Sequence, residues 1–257
     1  MTVTVKSTVV ESMTIPFTIS IAGQDVELIK SRLHQLAGSI KSALDQIDRR
    51  YSTYRPDSLV SQFRDGNEEL LVTDAEFKQV YDACLNAKQL TNGCFDPFDS
   101  QQRYDPLGYV KGWAIELLFD RYLRPELQRT EIVGVCLNGG GDMQFASQHD
   151  FKWQIGIEDP SDLQTLIAGY QLTNGGLATS GYSKRGAHVR SSGQPDLLQV
   201  TVFAPKLATA DVWATALLAA GEQSLRQLVA DHQLSGCFVN QHHQLSYFNQ
   251  GVITDVD

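Results

Sequence analysis

Between residues 26 and 47, apolar side chains return at the spacing of one helix face: Val26, Leu28, Ile29, Leu33, Leu36, Ile40, Leu44 and Ile47. A stripe of this length predicts an amphipathic helix of about six turns, whose apolar face must be covered by another layer. The second half of the chain supplies candidates for that layer. Runs rich in β-branched residues predict strands over 132–137, 153–157, 166–172, 198–204 and 237–240, and a further strand is expected over 14–21. Helices are expected from Thr73 to Asn92-Gly93, over 111–122, near 209–220 and near 222–232. Thr73 and Glu76 fit a capping box at the start of the first of these. Helices and strands in irregular order predict an α+β fold rather than a regular βαβ alternation. Without an evident linker, residues 1–257 read as one domain.

Charge and composition narrow the functional classes. The formal net charge of −9 disfavours a nucleic-acid partner, because an acidic surface repels phosphate backbones. A small phosphate ligand stays possible where a divalent cation reverses the local charge. No apolar run reaches the roughly 20 residues of a membrane span. The first 17 residues lack the basic start and apolar core of a secretory signal, so the expected location is the cytoplasm. None of Cys84, Cys94, Cys136 and Cys237 forms a C-x-x-C pair, which argues against structural zinc. Cys136 and Cys237 lie in apolar runs and read as buried thiols.

Four segments carry residues with chemistry, and each has two readings. In ATADVWATALLAAG, Asp211 and Thr215 stand four apart on a largely apolar helix and so share a face. Two hard oxygen donors at this spacing suit Mg²⁺; alternatively Asp211 caps the helix and Thr215 bonds back to a carbonyl. LNGGGDM follows a strand, and its glycines either let a ligand approach the backbone or make a hairpin turn. In YDPLGYVKGWAIE, Gly108 and Gly112 flank Lys111, which either contacts a phosphate or lies on the surface at a helix start. LATSGYSKRGAHV is a polar loop with Ser180, Lys184, Arg185 and His188; His188 is either a general base or a structural hydrogen-bonder.

Taken in order, eight segments resemble the ApbE family, the FAD:protein FMN transferases. They are MTIP, DRRYSTYRPDSLVSQF, GCFDPF, DPLGYVKGWAIE, LNGGGDM, WQIGIEDP, ATSGYSKRGAH and TVFAPKLATADVWATALLAAG. The short interval between FDPF and DPLGYVKGW is similar to the compact branch of the family. The resemblance implies a T-fold-like α+β domain, mixed sheets with packed helices and an FAD cleft. It implies Mg²⁺ held by Asp211, Thr215 and the Gly108 carbonyl, and His188 as the catalytic base. FAD, the substrate, would lie against Met13, Tyr54, Asp96, Asp105, Lys111, Asn138, Gly140, Gly141, Asp142, Ser180, Gly181, Tyr182 and Val189. The implied partner is a flavoprotein that accepts FMN on a Thr or Ser hydroxyl, with AMP released. The family follows its histidine with Asp-Pro-x-Thr-Gly, whereas His188 is followed by VRSSGQPD. That departure supports one alternative, an FAD-binding protein without transfer; a second is a pyrophosphatase that gives FMN and AMP, which the same metal site would serve.

Overall fold

The computed structural model describes residues 2–182 and 196–256. Its frame is a nine-stranded sheet in the order β1-β2-β3-β4-β7-β8-β9-β10-β11. The strands are β1 (Thr4–Ser12), β2 (Ile15–Gly23), β3 (Ile132–Gly139), β4 (Asp142–Ser147), β7 (Gly175–Gly181), β8 (Leu197–Ala204), β9 (Ser235–Asn240), β10 (Leu245–Asn249) and β11 (Val252–Asp255). Every neighbouring pair is antiparallel. The remaining strands, β5 (Trp153–Glu158) and β6 (Leu166–Leu172), form a separate antiparallel hairpin.

The expected long helix is α1 (Val26–Tyr51). Asp25 starts it, its carboxylate accepting the backbone N–H groups of Glu27 and Leu28, each at 3.0 Å. Such a cap stabilises a helix by about 1 kcal/mol. Ile29, Leu33, Leu36, Ile40, Leu44 and Ile47 are buried, and Phe17, Ile19 and Ile21 of β2 share their core. Full burial of one such side chain is worth ~1.5–3 kcal/mol, so this stripe dominates any single polar contact. Short helices α2 (Leu59–Arg64) and α3 (Leu70–Thr73) precede α4 (Ala75–Leu90). They bring Phe63, Phe77, Tyr81 and Tyr104 into one aromatic cluster, with Tyr51 against Trp113 at 5.5 Å.

The helix expected at Thr73 starts one residue later. Asp74 is its cap and accepts the N–H of Phe77 at 2.9 Å, while the Thr73 hydroxyl donates back to the Glu69 carbonyl. Helix α5 (Leu107–Leu118) begins four residues before the expected start at 111. The last helix, α6 (Leu207–Asp231), breaks at Gly221, whose φ of 76° interrupts the helical backbone. This matches the two expected helices.

Helices α1, α5 and α6 share the main core with one face of the large sheet. The β5–β6 hairpin shares a second core with the other face, built from Cys136, Phe145, Ile155, Ile157, Ala168, Leu177 and Cys237. All four cysteines are free thiols; Cys84, Cys136 and Cys237 are buried. Among the described residues no helix is long and apolar enough to cross a membrane.

Candidate functional site

Chain reversals place the quoted segments at one end of the large sheet. Ser12 pairs with Ile15 around the Met13-Thr14 turn, where Met13 adopts φ 50°. Gly139 pairs with Asp142, so Gly140 and Gly141 form a two-residue hairpin turn with φ +65° and +104°. The hairpin reading of LNGGGDM therefore holds: positive φ is the reason for Gly140 and Gly141, and a Cβ at Gly139 would stand 2.7 Å from Phe17 Cε1. The Asn138 amide oxygen accepts the Gly141 N–H at 2.9 Å, and Gly140 donates to the Pro16 carbonyl. Antiparallel pairing of β4 with β7 brings Thr179, Ser180 and Gly181 to the same end.

Asp142, the first residue of β4, turns toward the helices, where Lys111 of α5 meets it in an ion pair. The Lys111 ammonium also lies 3.5 Å from Asp211 Oδ2 of α6. Asp142 is 2% exposed at its side chain and Asp211 1%, so both carboxylates are out of water. Lys111 is therefore not a surface lysine. Nor does Asp211 cap α6, whose N-cap is Lys206. Asp142 Oδ1 accepts the Thr179 N–H at 2.9 Å. Next to the carboxylates, the hydroxyls of Ser180 and Thr215 sit 3.2 Å apart.

Electrostatics follow from this count of charges. Burial alone would lower the Lys111 pKa, but attraction to Asp142 and Asp211 overrides it and pushes the group up to about 12. Burial pushes Asp142 up to about 6 and raises Asp211 as well, although Lys111 opposes both shifts. One ammonium thus answers two carboxylates, leaving a formal charge of −1 inside the fold when all three are ionised. Asp211 Oδ2 is buried and accepts no well-formed hydrogen bond among the described residues. An acceptor left in that state favours a cation.

Helices α5 and α6 run antiparallel here. A Cβ added at Gly112 would stand 3.0 Å from Asp211 Oδ2 and 3.2 Å from Ala208 Cα, and Glu116, one turn on, accepts the Ala208 N–H. By that register Gly108, one turn before Gly112, reaches the level of Thr215, one turn after Asp211. No three His, Cys, Asp or Glu side chains converge as a metal cluster among the described residues. The side-chain oxygens gathered here are the carboxylates of Asp142 and Asp211 and the hydroxyls of Ser180 and Thr215, hard donors of the kind that fit an ion such as Mg²⁺, which fills its shell with water and phosphate oxygens.

Other expected residues lie further out. Asp105 accepts the Leu107 N–H at 3.2 Å at the start of α5 and lies 3.8 Å from Arg64. Asp96 is exposed and ion-paired with Lys88 at 2.9 Å. Tyr54 is 87% exposed and meets none of these groups. Tyr182 is half-buried against the main core. Asn138 borders a cavity of about 250 Å³ on the opposite face of the sheet, with Thr18, Ser20, Cys136 and Trp153. His188, Val189, Lys184 and Arg185 lie outside the described residues. Sequence reasoning assigned no role to Glu116 or Gln144. Gln144 shares a face with Asp142 only once 142–147 is known to be a strand, and no alternation in the sequence marks that strand.

The sequence profile of the ApbE family matches residues 12–101 and 98–238. A protein of Klebsiella pneumoniae (strain 342), named FAD:protein FMN transferase, is 33% identical over 97 residues, a match that spans 32% of this chain and 28% of that protein. The solved ApbE protein of Thermotoga maritima superposes with a TM-score of 0.78 at 19% identity, covering 95% of this chain and 97% of that one. The Pseudomonas stutzeri flavinyl transferase ApbE in its apo form superposes with a TM-score of 0.73 at 18% identity, covering 99% and 95%. At these identities the two solved structures bear on the fold.

Proposed function

For a chain that belongs to the ApbE family, we propose an enzyme that splits FAD and transfers FMN to a Thr or Ser hydroxyl of an acceptor flavoprotein, releasing AMP. Residues 1–257 act in this reading as one domain. The observation that carries it is the buried trio Lys111, Asp142 and Asp211 beside the Ser180–Thr215 hydroxyl pair. An excess negative charge beside one ammonium suits a site that receives a divalent cation together with a pyrophosphate.

Asp211, Thr215 and the Gly108 carbonyl would hold Mg²⁺. The ion would supply charge neutralisation at the pyrophosphate and so favour AMP as leaving group. Lys111, fixed by two carboxylates, keeps its proton at neutral pH and offers a fixed positive charge to a phosphate oxygen. Asp142 orients Lys111 and is itself oriented by the Thr179 N–H. Turns at Met13-Thr14 and Gly140-Gly141 border the same end of the sheet and would line the flavin approach. In the transfer step the acceptor oxygen bonds to the FMN-side phosphorus, the P–O bond to AMP breaks, and His188 takes the hydroxyl proton. Positioning and electrostatics would supply most of the rate.

One assay tests this reading against its two rivals. The protein is incubated with FAD and Mg²⁺, with and without an acceptor bearing an Asp-Gly-x-Ser/Thr-Gly target. Covalent flavin fluorescence on the acceptor is the expected outcome. Free FMN and AMP without acceptor would identify a pyrophosphatase, which the same metal site would serve. Bound, intact FAD would identify a passive binder.

A further inference from the structure

The N-terminus of α6 lacks a cap of its own. Its N-cap residue, Lys206, makes no side-chain hydrogen bond to the first turn. Two of its free N–H groups, those of Leu207 and Ala208, are satisfied by side chains of two other elements. Gln144 of β4 accepts the Leu207 N–H through Oε1 at 2.8 Å and donates from Nε2 to the Pro205 carbonyl at 3.1 Å. Glu116 of α5 accepts the Ala208 N–H through Oε2 at 3.1 Å, and its other oxygen lies 3.4 Å from the Lys206 ammonium. Gly176, paired with Gln144 across the sheet, makes room for this arrangement. A Cβ there would stand 2.5 Å from Leu207 N and Cα and 2.9 Å from Gln144 Oε1.

These contacts sit about one turn from the charged trio, on the same three elements that hold it. Asp142 and Gln144 are alternate residues of β4 on the helix face, and Lys111 and Glu116 belong to α5. Asp211 follows Leu207 and Ala208 by about one turn of α6. Whatever fixes Leu207 and Ala208 along the helix axis therefore fixes Asp211 against Lys111.

We infer that Gln144 and Glu116 form a latch that sets the axial register of α6, making them positioning residues for the Asp211–Thr215 metal site. This rests on the proposed reading of that site. Removing either acceptor leaves a free N–H at the start of α6 and lets the helix settle elsewhere along α5. Asp211 would then lose its place before the fold as a whole is lost.

The test compares Gln144→Met, Glu116→Ala and Glu116→Gln with Ile40→Ala, a core substitution on α1 that lowers stability without removing either acceptor of the latch. Two quantities are read on folded protein: amide hydrogen exchange over residues 207–212, and the dissociation constant for Mg²⁺ titrated in the presence of FAD. We expect Gln144→Met and Glu116→Ala to speed exchange over 207–212 and to weaken Mg²⁺ at least about tenfold, as loss of an outer support does in metal sites. Glu116→Gln, which keeps an acceptor oxygen, should restore most of both, and Ile40→Ala should change neither locally. Unchanged exchange, or unchanged Mg²⁺ affinity despite faster exchange, overturns the latch. If the wild type itself fails to bind Mg²⁺ with FAD, the metal reading falls. The latch is then decided by exchange and by the Lys111–Asp211 contact in a crystal structure of unliganded Glu116→Ala: a retained contact overturns it, a broken one supports it.

Discussion

The Lys111 ammonium stands 3.5 Å from Asp211 Oδ2 while it is already ion-paired with Asp142, so a single buried cation serves two carboxylates on different elements. Replacing Lys111 with Met strands both. Loss of one partner from a buried pair costs about 3–5 kcal/mol, and that is the expected drop in urea unfolding free energy. Adding Asp142→Asn to Lys111→Met should return part of the loss, because one stranded charge is removed. A strictly additive double variant would contradict the coupling.

Asp142 gives the unliganded protein a defined pH response. Its ordinary value of 3.8 is pushed up to about 6 by burial, so the folded state holds this proton more tightly than the unfolded state. For a raised carboxyl, the contribution to stability is complete below 3.8 and is lost as pH rises through about 6. The stability of wild type relative to Asp142→Asn should therefore fall across that window in metal-free buffer. Urea titrations at several pH values measure the difference, and a rise with pH would contradict it.

Gly112 permits the close approach of α5 and α6 at Asp211. An added Cβ would meet the Asp211 carboxylate and the Ala208 backbone at 3.0–3.2 Å. Backbone contacts yield little, so Gly112→Ala should cost about 1–3 kcal/mol and lower Mg²⁺ affinity together. A variant with wild-type stability and metal binding would show that the helices are not tightly set here.

Variants at Thr215 distinguish the proposed metal donor from a packing residue. Thr215→Val keeps the shape but removes the hydroxyl that faces Ser180, which should change stability by only about 1 kcal/mol. AMP release from FAD should drop with it, and Thr215→Ser should retain most of it. Equal rates in Val and Ser variants would remove Thr215 from the donor set.

Much of the frame was legible because its signals are local. The α1 stripe, the Gly221 break and the run of β8 each follow from a few consecutive residues. The strands β4 and β7 were not: both lie mid-sheet with buried residues on both faces, so no alternation marks them. In β7 the glycine at 176 reflects the approach of Leu207 rather than any turn. At the site, Asp211 and Thr215 could be paired by helical spacing. The burial of Lys111 could not be read, since its partners come from β4 and α6 far along the chain. The order of the family motifs, rather than any single spacing, pointed to that gathering.

The most direct test is release of AMP from FAD in the presence of Mg²⁺ by Asp211→Asn. This variant keeps the shape of the side chain and removes its charge. The account predicts a folded protein in which release falls at least about a hundredfold, the scale seen when one stabilising group is removed from a reacting centre. Release at the wild-type rate by folded Asp211→Asn would contradict the assignment of the buried carboxylate to the chemistry.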